Sequence, residues 1–485
     1  MASNSQSDSA SDPPQTIAVI GGGISGMSAA YRLLKDSPDV NVILIEADDH
    51  LGGVLGTDQV GDFLVERSAD MFSIEPDAGL QLCRELEMES DLLQTQPVQQ
   101  RAFVSHESGI QPVPQGLALM LPNQLDSILQ SKLISESGKS RFLEEETVQP
   151  RLDADDESLE SFAVRRFGSE MFQQVIQPLT SGIYSADPKS LSMLATMKRF
   201  VDMEREHGSL IAAARANQAD QDQNTSGARY GLFRAPAGGF QELVDRLQSA
   251  IESHAPRFQL KTGSRVTHLK YDKQAANWSI ELESESTEPS RKVQGVILAT
   301  AARVSARLMG DQHPKLVNEL NQIENASMTI VAMGIDNAQL EKPFDGFGIV
   351  VPAIENRELI AISFSSNKFK GRCPDEKSIL RCFIGGALSP EAIKRTDEEL
   401  IGIACEESRR LVGLKGEPEF TRVIRWPNAM PQYHLGHLDR VAAIESATHK
   451  IAGLELAGNS YRGVGIPACI VSGFTAARRL LGIEN

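Results

Sequence analysis

Cysteine is sparse: Cys83, Cys373, Cys382, Cys405 and Cys469 are scattered over 485 residues without a CxxC pair. Such scatter supports neither a metal site nor a disulfide framework, and it fits a reducing, cytoplasmic setting. Positive charge is short too, with 48 lysines plus arginines against 65 acidic residues and a formal net charge of −17. That sign repels a polyphosphate backbone, so nucleic acid is excluded as an expected partner. Six tyrosines and two tryptophans argue against an aromatic cage for a cationic ligand. No apolar run approaches the roughly 18 residues that a spanning helix needs. Membrane contact is therefore expected only as a peripheral one on the inner face of the cell membrane, with residues 116–122 (GLALMLP) as its surface. Residues 1–14 are expected to form a disordered tail, because MASNSQSDSASD has neither the apolar core of a signal peptide nor the arginines of a presequence.

What is present is a hydrophobic fraction of 41%, enough to bury a large core. The run TIAVI at 16–20 is short and rich in β-branched residues, and it ends in glycines followed by a helix-compatible stretch to Leu34. A second apolar run, 42–45, follows at the crossover distance of a parallel βαβ unit and leads into Glu46. The fold class is therefore α/β, opening as a Rossmann-like unit. Between about residues 95 and 234, acidic clusters such as LEEETVQPRLDADDES alternate with SFAVRRFGSEMFQQVI. In the latter, Phe162, Phe167, Met171, Val175 and Ile176 recur at helical spacing, which predicts a mostly helical insertion weakened at Gly168. Within 328–385, the segments MTIVAMGI, GFGIVVP, LIAISFSS and SILRCFIGG predict a separate, mainly antiparallel sheet.

The strongest local chemistry is Gly21, Gly23 and Gly26 in GGGISG. The first turns the chain, the second lets backbone approach a pyrophosphate, and the third lets the helix pack on the strand. Ile24 and Ser25 open that helix and would offer amides to the anion, while Glu46, about 20 residues on, suits ribose hydroxyls. FAD and NAD both use this element. FAD is favoured by the pair Gly52-Gly53 after Glu46 and by the C-terminal LAGNSYRGVGIPACIVSG, where a strand, a turn and a new helix carry Gly458, Gly465 and Ile466.

Several motifs then coincide in order: GGGISGMSAAYRL, DFLVERSADMF, FAVRRFGSEMFQQVIQPLTSGIYSADPKSLSM, FRAPAGGFQELVDRL and RWPNAMPQYHLGH, before the C-terminal segment just quoted. Through nearly the whole chain after Pro14, the sequence resembles the oxygen-dependent protoporphyrinogen and coproporphyrinogen III oxidases of the amine-oxidase-like flavoprotein superfamily. Two departures are Val54, where lysine or arginine commonly follows the family's LGG, and Arg67, in VERSADMF, where glycine is common.

The resemblance implies FAD-dependent oxidation of protoporphyrinogen IX to protoporphyrin IX in haem synthesis, by three two-electron cycles with oxygen as acceptor and release of hydrogen peroxide. Coproporphyrinogen III oxidation is the alternative, and a flavin amine oxidase or a non-catalytic nucleotide-fold protein are readings of other classes. Hydride transfer would fall to flavin N5, with no protein group assigned as catalytic. Implied FAD contacts add Val266 to the residues above, and implied substrate contacts are Arg101 to a propionate, Gly182 to a pyrrole nitrogen, and Ile362 with Phe364 on the macrocycle. Each has a plainer reading: a surface arginine, a helix C-cap and core packing. His434 and His437 invite a general-base role, with structural roles the better expectation. FAD-binding parts are expected at 15–95, 236–312 and 440–485, the start of the substrate-binding region with a helical membrane-associating insertion at 96–235, and the substrate-binding sheet region at 313–439. A homodimer is also compatible with the sequence.

Overall fold

The computed structural model describes residues 15–97, 101–220, 229–283 and 291–483. The tail expected at 1–14 lies outside them. A five-stranded, fully parallel sheet runs in the order Phe258–Lys261, Val40–Ile45, Gln15–Ile20, Gly295–Leu298, Leu454–Leu456. Its strands come from three distant stretches of chain. Their runs are continuously apolar because both faces are covered. Ile17, Val19, Val42, Leu44 and Ile297 pack under helices Ile24–Asp36, Phe240–Glu252 and Ile466–Leu480. Ala18, Ile20, Ile45, Val296 and Leu298 pack against the meander Val266–Asp272, Asn277–Leu282, Arg291–Val293 and helices Ala302–Met309 and His437–Thr448.

A seven-stranded sheet stands apart, in the order Phe420–Pro431, Asn325–Asp336, Lys377–Gly385, Leu359–Phe364, Gly348–Val350, Ala102–Val104, Gln111–Pro112. All its pairings are antiparallel except Gly348–Val350 on Ala102–Val104. One face is closed by helix Asp397–Val412, whose N-cap Thr396 and Glu399 form a capping box. The strand Phe420–Pro431, whose later half begins the RWPNAMPQYHLGH motif, lies within the 313–439 region expected to hold the sheet, and the strands at 102–112 join it from the earlier segment at 96–235.

The helical unit includes helices Leu159–Phe167, Gln177–Tyr184, Lys198–His207 and Leu210–Asp220. Gly168, at φ +87°, ends the first of these, and the chain re-enters helix through a π turn at Phe172–Ile176. The acidic run before it is not merely a solvated loop. Glu145 is fully buried, accepts from the Leu210 and Ile211 amides at 2.8 and 3.2 Å, and so anchors the start of helix Leu210–Asp220. Arg166, equally buried, pairs with that carboxylate and with Glu204, and also donates to the Val148 and Gly208 carbonyls.

The membrane surface expected at 116–122 needs correction. That segment folds as a small hairpin, Leu117–Ala118 with Leu121–Pro122, and buries Leu117 and Met120 in the core of the helical unit. Its apolar side chains are used for packing, since a hairpin this short gains stability only by covering a hydrophobic neighbour. Among the described residues no helix is long and apolar enough to cross a membrane.

Arg166→Met leaves the buried Glu145 carboxylate without its charge partner. Urea denaturation is expected to show a loss of about 3–5 kcal/mol; a loss below about 1 kcal/mol, the level of an exposed pair, would mean the pair is not the keystone of the unit.

Candidate active site

The first strand ends at Ile20, and Gly21 turns the chain at φ +105° with its amide on the Ile45 carbonyl. A Cβ on Gly26 would lie 1.8 Å from the Gly21 carbonyl oxygen, so the helix meets the turn with no room for a side chain. A Cβ on Gly23 would meet nothing within 4 Å, which leaves open space above the turn. Helix Ile24–Asp36 starts at Gly23 without a side-chain cap, so its positive end and free amides face that space. Glu46 Oε2 accepts from the Gly22 amide at 2.5 Å and Oε1 from the Asp48 amide at 2.9 Å. Each oxygen keeps acceptor capacity for a further donor.

Gly52 joins the same turn: it pairs with Gly23 in an isolated bridge and donates to the Gly22 carbonyl at 2.9 Å. Gly52 and Gly53 have φ of +104° and +61°, conformations that glycine adopts without penalty. Val54 beside them is 41% exposed. Arg67, the residue that stands where the family commonly has glycine, lies by this loop: its Nε is 2.7 Å from Asp58, and its Nη1 is 3.4 Å from His50 Nε2. Val266 begins its strand two residues after Ser264, whose amide donates to the Glu46 carbonyl, and its side chain is buried with Ile20 and Ile45.

The C-terminal helix reaches this region by close contact. A Cβ on Gly473 would lie 2.2 Å from the Ser25 carbonyl, so the two helices cross at glycine. Helix Ile466–Leu480 starts at Gly465, again without a side-chain cap, with Pro467 in its first turn. The preceding loop leaves the sheet at Gly458, whose amide donates to Ser472 Oγ at 3.0 Å.

On the seven-stranded sheet, Arg101 immediately precedes the strand Ala102–Val104, next to the edge strand, and is 59% exposed and 3.2 Å from Asp345. Gly182, exposed on helix Gln177–Tyr184, faces Val350 on the neighbouring strand, where a Cβ would approach Val350 Cγ1 to 3.9 Å. Val350 pairs with Val104, three residues or about 10 Å along the strand from Arg101. These two sequence-singled residues therefore share one edge of the sheet. Ile362 and Phe364 do not join them. They are 1% and 0% exposed, they belong to the core under helix Asp397–Val412, and Phe364 stacks on Phe344 at 4.3 Å. Their strand neighbours Ala361 and Ser363 point the other way, opposite Val350 and Gly348.

On that other face the structure assembles a buried charge cluster absent from the sequence reading. Asp70 Oδ2 lies 2.9 Å from Lys368 Nζ and 3.2 Å from Arg381 Nη1, and accepts from Ser363 and Ser365. Burial pushes the Asp70 carboxyl up, but Lys368 and Arg381 outweigh it and hold the group well below the usual carboxylate range. The available signal was Arg381 itself, a cation inside the apolar strand SILRCFIGG. His437 is buried, and burial pushes its imidazole down to about 4. Its Nε2 lies 2.8 Å from the Tyr461 carbonyl, so that nitrogen carries the hydrogen and the ring is neutral near pH 7. His434 forms a bridge with Leu191.

Gly26→Ala places a methyl against the Gly21 carbonyl. The purified variant is expected to lose its flavin absorbance or to fail to accumulate as folded protein; a variant with full absorbance would remove this turn from the cofactor site.

The profile of the flavin containing amine oxidoreductase family matches residues 24–481. A coproporphyrinogen III oxidase from Bacillus subtilis (strain 168) is 29% identical over 96% of this chain and 98% of its own. Protoporphyrinogen oxidase 2 (chloroplastic/mitochondrial) from Arabidopsis thaliana is 27% identical over 95% of this chain and 92% of its own. The crystal structure of a provisionally named protoporphyrinogen oxidase from Exiguobacterium sp. 255-15 superposes with a TM-score of 0.84 at 25% identity, covering 96% of this chain and 99% of that one. With the glycine turn and the second glycine loop meeting at Gly23, the C-terminal helix packed on Ser25 through Gly473, and a family match that spans almost the full length, the chain belongs to the flavin containing amine oxidoreductases and is an FAD-dependent oxidoreductase.

Proposed function

We propose that this protein oxidises a porphyrinogen to the corresponding porphyrin, with protoporphyrinogen IX as the first reading. The observation that carries it is the end-to-end likeness to enzymes named porphyrinogen oxidases, from a bacterium and a plant, each aligned over at least 95% of this chain. Coproporphyrinogen III is the second reading, favoured by the name of the Bacillus subtilis relative.

The residues present fit FAD. Gly23 leaves space where a pyrophosphate would lie, and the helix beginning at Ile24 supplies its amides. Glu46 is the acceptor for ribose hydroxyls, and Gly52 and Gly53 admit the cofactor backbone to backbone. Val54 offers no charge to the phosphates; Arg67 and the N-terminus of helix Ile24–Asp36 take that role. Ser25, Gly21 and Gly26 shape the turn, Val266 flanks the ribose acceptor, and Gly458, Gly465 and Ile466 frame the far end. Bound FAD supplies a two-electron acceptor at its N5 position. The uncapped start at Gly465 would favour negative charge on the reduced cofactor.

The substrate is an apolar ring with carboxylate arms, and the chain meets each part separately. Arg101 pairs a propionate in exchange for Asp345, a guanidinium being suited to bidentate carboxylate contact. Gly182 brings backbone to the ring, and the small face formed by Gly348, Ala361 and Ser363 replaces Ile362 and Phe364 as the surface beneath it. No side chain is assigned as base. His437 is buried and neutral, and protons leave by imine–enamine tautomerisation of the free macrocycle. In this reading 15–95, 236–312 and 440–485 form the cofactor unit, 96–235 the helical unit and 313–439 the substrate sheet, in a cytoplasmic protein.

Air-dependent porphyrin fluorescence is expected when purified protein is given protoporphyrinogen IX or coproporphyrinogen III, with the faster substrate identifying the physiological class. Inertness toward both would end the porphyrinogen reading. Arg101→Ala is expected to raise KM roughly tenfold, the loss of one charge-assisted contact, with flavin content unchanged; an unaltered KM removes Arg101 from the site.

A further inference from the structure

The motif PQYHLGH carries no role in the chemistry above, yet its two aromatic groups converge on the C-terminal glycine loop. Tyr433 is 2% exposed and its ring stacks on that of His437 at 3.9 Å, 13° from parallel. The Tyr433 hydroxyl donates to the Asn459 carbonyl at 2.6 Å and accepts from the Gly463 amide at 2.8 Å. His437 Nε2 donates to the Tyr461 carbonyl at 2.8 Å. Three alternate residues of one loop are thus bound through their backbones by a single stacked pair.

The loop needs such support. Gly458 and Gly463 sit at φ +132° and +144°, and glycine gives the backbone no preference for staying there. A Cβ on Gly463 would approach Ala468 Cβ to 2.6 Å, so the loop also lies tight on the helix it introduces. Further anchors are the ion pair of Arg462 with Glu445 and the Ser460 hydroxyl on the Ala302 amide, each tying a side chain of the loop to a different helix.

The stacked pair occupies a junction. Strand Phe420–Pro431 of the seven-stranded sheet ends just before Tyr433, and helix His437–Thr448, packed on the parallel sheet, begins at His437. The Tyr433 carbonyl accepts from the Ser192 amide of the helical unit at 2.8 Å. One short segment therefore holds all three parts of the molecule to the loop.

We propose that Tyr433 and His437 are positioning residues for the cofactor: together they fix the Gly458–Gly465 loop and the start of helix Ile466–Leu480 against the flavin. The proposal rests on reading this loop as part of the FAD site. A displacement of about 1 Å is enough to spoil an arrangement of this kind, so removing one hydroxyl acts on cofactor binding without touching the cofactor.

FAD is stripped from the holoprotein and titrated back into Tyr433→Phe, His437→Leu, His437→Gln and Gly463→Ala, with the reduction potential of each reloaded protein measured. Tyr433→Phe keeps the ring and loses both bonds. It is expected to bind FAD roughly tenfold more weakly and to shift the potential to more negative values, with the melting temperature of the apoprotein lowered by no more than a few degrees. His437→Leu is expected to do the same, and His437→Gln, which retains a donor, to recover most of the affinity. Gly463→Ala tests the loop itself. If it weakens FAD while Tyr433→Phe and His437→Leu bind as the parent does, the positioning role is overturned. If Gly463→Ala also binds FAD with parental affinity, the reading of the loop falls and the proposal with it. Should Tyr433→Phe not fold, the contrast between His437→Leu and His437→Gln decides.

Discussion

At Gly26 the first helix lies so close to the turn before it that a methyl carbon would stand 1.8 Å from the Gly21 carbonyl oxygen. That contact sets how the helix leaves the sheet, and much of the molecule follows from it. The helix N-terminus is brought to the strand end, where its free amides face open space above Gly23. The second glycine loop then reaches Gly23 through Gly52, and the C-terminal helix reaches Ser25 through Gly473. At each approach, backbone meets backbone where a side chain would intervene.

A parallel sheet fed from three stretches of chain has a consequence for its neighbours. The strands at 15–45, 258–298 and 454–456 return to one core, so the segments between them must leave and come back as closed units. The helical unit is closed by the Arg166–Glu145–Glu204 network, and the seven-stranded sheet by helix Asp397–Val412. The face of that sheet left free of the helix carries Gly348, Ala361, Ser363 and the Asp70 cluster.

How much of this was legible in the sequence depends on whether the signal was local. Gly21, Gly23, Gly26 and Glu46 are separated by fixed spacings within one βαβ unit, so their meeting could be read directly. The break at Gly168 was visible for the same reason. The strand LIAISF shows that Ile362 and Phe364 oppose Ala361 and Ser363, but alternation does not say which set meets a covering helix. That choice belongs to helix Asp397–Val412, distant in sequence. In the sequence Glu145 is one of three adjacent glutamates in an acidic cluster, and only the fold brings Arg166 and the start of helix Leu210–Asp220 onto it. Residues 116–122 were apolar for the ordinary reason that they pack inside.

In the function proposed above, this chain passes electrons from a porphyrinogen to its own flavin. Anaerobic rapid mixing of the oxidised holoprotein with protoporphyrinogen IX, and separately with coproporphyrinogen III, tests it directly. With at least one of them the flavin absorbance should bleach in a single phase with saturable dependence on substrate, and return when oxygen is admitted. A flavin that stays oxidised with both substrates, or porphyrin that forms at the same rate without the protein, would contradict the claim.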